Sequence, residues 1–132
     1  MNFINSKDIH NIILRELEDK KAQDITVFCG KDYAMYFDYV IIATCRSNKH
    51  TVSTAEHISL LLKKEKIPST IQGLTPGDWV LLDCSNTVTH LFQEDSRRRF
   101  NLEGLIVENS AKNIHSNNIF YTDMNGTSEL TN

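Results

Sequence analysis

A chain of 132 residues, 40% hydrophobic and 23% charged, has the size and composition of one globular domain with one core. Its formal net charge of −3 argues against a protein that coats naked nucleic acid, because such coats need a basic surface to neutralise phosphates. No apolar run approaches the roughly 18–20 residues that span a bilayer, and the N-terminus carries neither a signal peptide nor an acid-poor transit sequence. The expectation is a cytoplasmic protein with no membrane partner.

In chain order, Ser6 is the expected N-cap of a first helix, with Asp8 in the first turn where a negative charge suits the dipole. Ile9, Ile12, Ile13 and Leu17 then recur at spacings of three and four, one apolar stripe running to about Lys21, with Leu14 outside it. DITVFC (24–29) alternates and reads as a strand; Gly30, Lys31 and Asp32 make a turn. FDYVIIATC (37–45) is apolar without alternation past Tyr39, as expected of an inner strand covered on both faces. Ser47 is the expected cap of a second helix, with Ser53 and Glu56 as a competing capping box. Its inward stripe is Val52, Ala55, Ser59 and Leu62, flanked by Ile58; Lys63, Lys64 and Lys66 close it, and Pro68 ends the helical stretch.

A short strand is expected near 69–72, then a Thr75-Pro76-Gly77-Asp78 turn. Trp79 to Cys84 and Thr87 to Phe92, joined by Ser85-Asn86, read as a hairpin. Glu94 to about Ile106 reads as a third helix with Phe100, Leu102 and Leu105 as its apolar members and Gly104 weakening its last turn. From Glu108 the chain turns polar and rich in Asn, Ser and Thr, so 1–107 is expected to be the domain and 108–132 a mobile tail with Ile119, Phe120 and Tyr121 docking transiently. The order of elements implies an α/β domain, a mixed sheet flanked by helices.

Several residues invite chemistry. Cys29, Cys45 and Cys84 form no CxxC pair and each lies in or beside an apolar run, which reads as buried thiols in a reducing compartment. His50 and His57 lie about two helical turns apart, too far to chelate one ion, and His90 sits mid-strand, so no metal site is expected. No GxSxG elbow, P-loop or GxGxxG occurs. Arg97, Arg98 and Arg99 form the one compact basic run, either a solvated face paired to Glu94 or a contact for RNA phosphate or an acidic protein patch. Trp79 enters a strand directly after a turn, placing it either in the core or as an anchor at the sheet edge.

GDWVLLDCSNTVTHLFQEDSRRRFNLEGL (77–105), taken with KKAQDI (20–25) and DYVIIATCRSNKHTVSTAEHI (38–58), resembles the ribosomal silencing factor family, also called Iojap or RsfS. The resemblance runs from about Asp8 to Ile106. It departs at Thr44-Cys45-Arg46-Ser47, where the family commonly has T-G-x-S, and at Phe100 and Ile106, where many members carry Tyr and Trp. It implies a nucleotidyltransferase-like fold, yet the paired D-x-D carboxylates that hold metals for phosphoryl transfer are missing: Asp24 is followed at that spacing by Thr26 and Asp38 by Val40. The implied function is binding to the large ribosomal subunit through the ribosomal protein of the L-fourteen family. Such binding blocks joining of the small subunit and represses translation when nutrients are short. No catalysis, cofactor or metal is expected of a monomer or weak homodimer, and contact with ribosomal RNA would be peripheral. Trp79, His90, Phe92, Arg97, Arg98 and Phe100 are the residues expected to form the partner surface or its support. The alternatives are a nucleotide-binding or nucleotidyltransferase-like enzyme or sensor, and an RNA-binding adaptor of the ribosome using Lys63, Lys64, Lys66 and the arginine run.

Overall fold

A computed structural model describes residues 5–116, 119–122 and 128–131, with side chains as far as Ser110. Helix α1 (Ser6–Asp19) is capped by Asn5 rather than Ser6. The Asn5 side chain accepts from the Asp8 N–H at 2.9 Å and the Asp8 carboxylate accepts from the Asn5 N–H at 3.3 Å, a reciprocal box that a serine one residue later cannot form. Ser6 instead donates to the Asp38 carboxylate, tying the helix to the chain entering β2. Ile9, Ile13 and Leu17 face inward as expected, and Leu14 also packs against the core.

The main sheet has five strands: β1 (Gln23–Cys29), β2 (Tyr39–Thr44), β3 (Thr70–Gln72), β4 (Trp79–Cys84) and β5 (Thr87–Phe92), in the order β1-β2-β5-β4-β3. Only the β2–β5 pair is parallel, so the sheet is mixed as the element order implied. All six residues of central β5 are buried, Thr87, Thr89 and His90 included, and β2 beside it is buried from Val40 to Thr44, which explains its unbroken apolar run. At the end of β1, Gly30 lies against the Phe37 carbonyl, and a Cβ there would collide with it.

Each face of the sheet has its own apolar cluster. Ile41, Ala43, Val80, Leu82, Cys84 and Leu91 meet α1 and helix α2 (Asn48–Lys64) on one side. Phe28, Val40, Ile42, Trp79 and Phe92 meet Leu102 and Ile106 on the other. In α2 the buried positions are His50, Thr51, Thr54, Ala55, Ile58 and Leu62, while Val52 and Ser59 are half-buried. The inward stripe is thus rotated from the expected one, because two threonines and a histidine are buried that apolar periodicity does not register. The helix ends with Lys66 in the left-handed region, φ 61°, its N–H donating to Lys63 O and the Ile67 N–H to Leu62 O.

The expected third helix is two. Helix α3 (Glu94–Phe100) stops at Asn101, whose φ of 45° is left-handed, and helix α4 (Leu102–Ser116) begins at once. Asn101 terminates one and caps the other, its side-chain oxygen accepting from the Gly104 N–H at 3.3 Å. Gly104 leaves room for that side chain, a role distinct from the weakening expected of it. Helix α4 runs past the expected boundary at Glu108, and a separate two-stranded sheet, β6 (Ile119–Thr122) with β7 (Ser128–Thr131), follows within the segment read as a tail. The side chains of Ile119, Phe120 and Tyr121 lie outside the described residues.

Candidate partner-binding surface

The β4–β5 hairpin brings the expected site residues together. Trp79 pairs with Phe92 and Leu81 with His90 across the ladder, so Trp79, Leu81, His90 and Phe92 share one face. The Trp79 ring stacks on Phe92 at 5.0 Å and meets Phe100 at 4.6 Å. The Trp79 Nε1–H donates to His90 Nδ1 at 3.0 Å, which puts the proton of the neutral imidazole on Nε2. Burial lowers His90 to about 3, so the ring is uncharged at neutral pH.

Trp79 is 7% exposed, His90 4% and Phe92 0%. They form a floor beneath the surface, and Phe100, half-buried, is the member of the cluster that reaches outward. Three serial arginines on α3 point to different environments. Arg97 is nearly buried and spends its donors inside the molecule. Its Nε meets Glu103 at 3.0 Å, one terminal nitrogen donates to Asp24 O at 2.7 Å and Thr44 Oγ1 at 2.8 Å, and the other to Thr26 Oγ1 at 3.2 Å. It staples α3 and α4 to strands β1 and β2. Arg98 is exposed, with an i,i+3 pair to the still more exposed Asp95. Arg99 lies over the Phe100 ring at 5.1 Å and faces Asp78 at 3.8 Å. The expected pairing through Glu94 is replaced by Asp95 and Glu103, since the break at Asn101 folds α4 back within reach.

Asp78 also accepts from Ser96 Oγ at 2.9 Å, and the Gln93 N–H donates to Asp78 O at 2.9 Å, so the turn before β4 and the start of α3 are locked together. Asp78, Asn101 and Glu103 were not among the expected site residues. Polar side chains that bridge elements carry no periodic signal. Beyond the aromatic floor, β3 and β4 leave Thr70, Gln72 and Asp83 exposed and Leu81 half-buried on the same side of the sheet.

The other candidates go elsewhere. His50 accepts the Arg46 N–H on Nδ1 at 3.0 Å and lies 2.6 Å from Lys20 O through Nε2, joining the start of α2 to the end of α1. His57 pairs with Glu16 at 2.8 Å. No group of three His, Cys, Asp or Glu side chains placed to hold a metal occurs among the described residues. Burial pushes the Cys84 thiol up to about 11, with Asp83 adding to it, and burial raises Cys45 despite hydrogen bonds from Thr51 and Thr54; both are thiols at neutral pH. Cys45 sits outside the left-handed region, so the loop that commonly carries glycine does not need one here. At the α2 N-terminus, Ser47 Oγ accepts from the His50 N–H at 2.9 Å. The Gln93 amide, oriented with its oxygen toward the helix, accepts from the Asn48 N–H at 2.7 Å. Side chains thus take up N–H groups at the α2 N-terminus that would otherwise be open to an anion.

These features define a mixed-sheet α/β domain that presents a helix-edged surface over an aromatic floor. The chain belongs to the ribosomal silencing factor family: the family described as "ribosomal silencing factor during starvation" matches residues 4–130. It is 31% identical over 93 residues to the ribosomal silencing factor RsfS of Zymomonas mobilis, covering 70% of each chain. It is 30% identical over 103 residues to that of Bacillus subtilis, covering 77% of this chain and 87% of the relative. A mouse relative, 26% identical over 106 residues and covering 77% of this chain and 46% of its own, is named mitochondrial assembly of ribosomal large subunit protein 1. A crystal structure from Chromobacterium violaceum superposes with a TM-score of 0.73 at 26% identity, covering 77% of this chain and 86% of that one. The resemblance read from the hairpin and its helix is borne out, and the relatives' names describe regulation of translation.

Proposed function

We propose that this protein represses translation by binding the large ribosomal subunit, through the ribosomal protein of the L-fourteen family, and sterically excluding the small subunit. The observation that carries the reading is the α3 edge of the sheet. Phe100 and Arg98 are presented outward, Trp79 and Phe92 support the Phe100 ring from below with His90 bonded to Trp79, and Arg97 fixes the helix in place. A pre-formed floor lowers the ordering cost of association, and aromatic and arginine side chains are the usual anchors of protein interfaces. Membership of a family named for ribosomal silencing supports it, as does a relative named for assembly of the large subunit. One interface of roughly 800 Å² per partner suffices for a specific complex, and no chemical step is needed. The reading makes the protein a non-enzymatic factor acting where the ribosomes are, the cytoplasm for its bacterial relatives, with any ribosomal RNA contact peripheral.

Co-sedimentation with purified large subunits, with and without small subunits, tests this. The protein is expected to travel with isolated large subunits and to lower the yield of joined ribosomes as its concentration rises. Subunits that join undiminished at saturating protein would refute the reading.

A further inference from the structure

We propose that the cleft at the end of α2, between Lys63 and Lys66, binds a phosphate of an RNA backbone. The assignment rests on the ribosome-binding reading above for its natural source of RNA. The cleft has a volume of about 380 Å³ and is lined by Ser59, Lys63, Lys66, Ile67, Pro68 and Ser69. It lies on the opposite end of α2 from the turn that meets α3.

Four observations converge on an anion. Residues 63–66 carry a net charge of +2 in a chain whose total is −3. Lys63, Lys64 and Lys66 are exposed and form no ion pair with the described residues, whereas each arginine of α3 pairs with a carboxylate. Ser59 Oγ and Ser69 Oγ lie 3.0 Å apart across the cleft. One hydroxyl donates to the other, so the accepting hydroxyl keeps a free hydrogen for a phosphate oxygen. The last carbonyls of α2 are covered: the Glu65, Lys66 and Ile67 N–H groups bond to Leu61, Leu62 and Lys63 oxygens. The negative end of a helix amounts to about half a charge, which the two lysines lining the cleft outweigh.

The chemistry favours a polymer over a free nucleotide. No aromatic ring lines the cleft on which a base would stack, and its walls are Pro68 and Ile67.

Fluorescence anisotropy of a labelled single-stranded RNA with the full chain tests the assignment. A Lys63→Ala/Lys66→Ala variant is compared with Lys7→Ala/Lys31→Ala, which makes the same change in net charge elsewhere. Losing the one phosphate held in the cleft flattens the slope of log affinity against log salt by about 0.7, so a fourfold rise in salt costs wild type about 2.6-fold more affinity than the variant. Ser59→Ala should weaken binding while leaving that slope unchanged. Equal slopes for wild type and the Lys63/Lys66 variant would overturn the proposal. Saturable binding of inorganic phosphate or ADP without binding of RNA would overturn the polymer assignment. Sedimentation with large subunits separates the two readings. Wild type that fails to sediment removes the ribosome reading alone. Wild type and the Lys63/Lys66 variant that sediment with the same salt dependence remove this site from the ribosome complex.

Discussion

At the scale of single residues, the Trp79–His90 pair links the fold to solution conditions. His90 has a folded value near 3 against 6.5 when exposed, because burial disfavours its charged form. The unfolded chain therefore binds a proton below pH 6.5 that the folded one refuses. The stability from this group is complete above pH 6.5 and falls as the solution is acidified toward 3, by up to about 1.4 kcal/mol per pH unit. A His90→Gln variant, which keeps an acceptor for the Trp79 N–H, should show a flatter fall in denaturant midpoint between pH 6 and 4 than wild type. An identical fall in both would mean that His90 is not the group responsible. Trp79→Phe keeps most of the ring but leaves His90 Nδ1 without its donor, at a cost of about 1–3 kcal/mol. The sequence left open whether Trp79 was core or anchor. Strand alternation assigns a side chain to a face, but not to the half of that face a distant helix will cover.

At the scale of elements, strands were the most legible and helix ends the least. The hairpin 79–84/87–92 followed from two β-rich runs around Ser85-Asn86, and β2 from an unbroken apolar run. The α3–α4 break was not legible, because a non-glycine residue in the left-handed region is uncommon and Asn101 lies inside a plausible helical sequence. Its effect is large: by ending α3 it lets Glu103 reach Arg97. Arg97→Ala strands Glu103 and the Asp24 carbonyl, and with the guanidinium mostly out of water the expected loss is about 2–4 kcal/mol by chemical denaturation. Arg98→Ala, one residue on, removes only a solvated pair and should change stability by less than about 0.5 kcal/mol. Asn101→Gly tolerates the backbone angle yet loses the side-chain cap, whereas Asn101→Ala loses both, so the alanine variant should be the less stable by about 1 kcal/mol.

At the scale of the whole molecule, stability and binding separate along the depth of the α3 edge. A variant that weakens ribosome binding by loosening the floor will also lower the unfolding midpoint; one that removes an outward contact will not. Arg98→Glu is purely an outward change, whereas Phe100→Ala also takes a ring off Trp79 and so lowers the midpoint as well. If the proposed surface is the one used, each should weaken binding to large subunits by about 30-fold, the roughly 2 kcal/mol of an interface anchor, with the Arg98 change leaving the denaturation curve in place. Trp79→Phe should shift both measurements together, because its ring touches Phe92 and Phe100 and its N–H orients His90. Sedimentation and denaturation run on the same three variants make the contrast readable without a structure of the complex. Wild-type binding by Arg98→Glu and Phe100→Ala together would move the partner surface away from α3, leaving the strip of Thr70, Gln72, Leu81 and Asp83 as the next face to mutate.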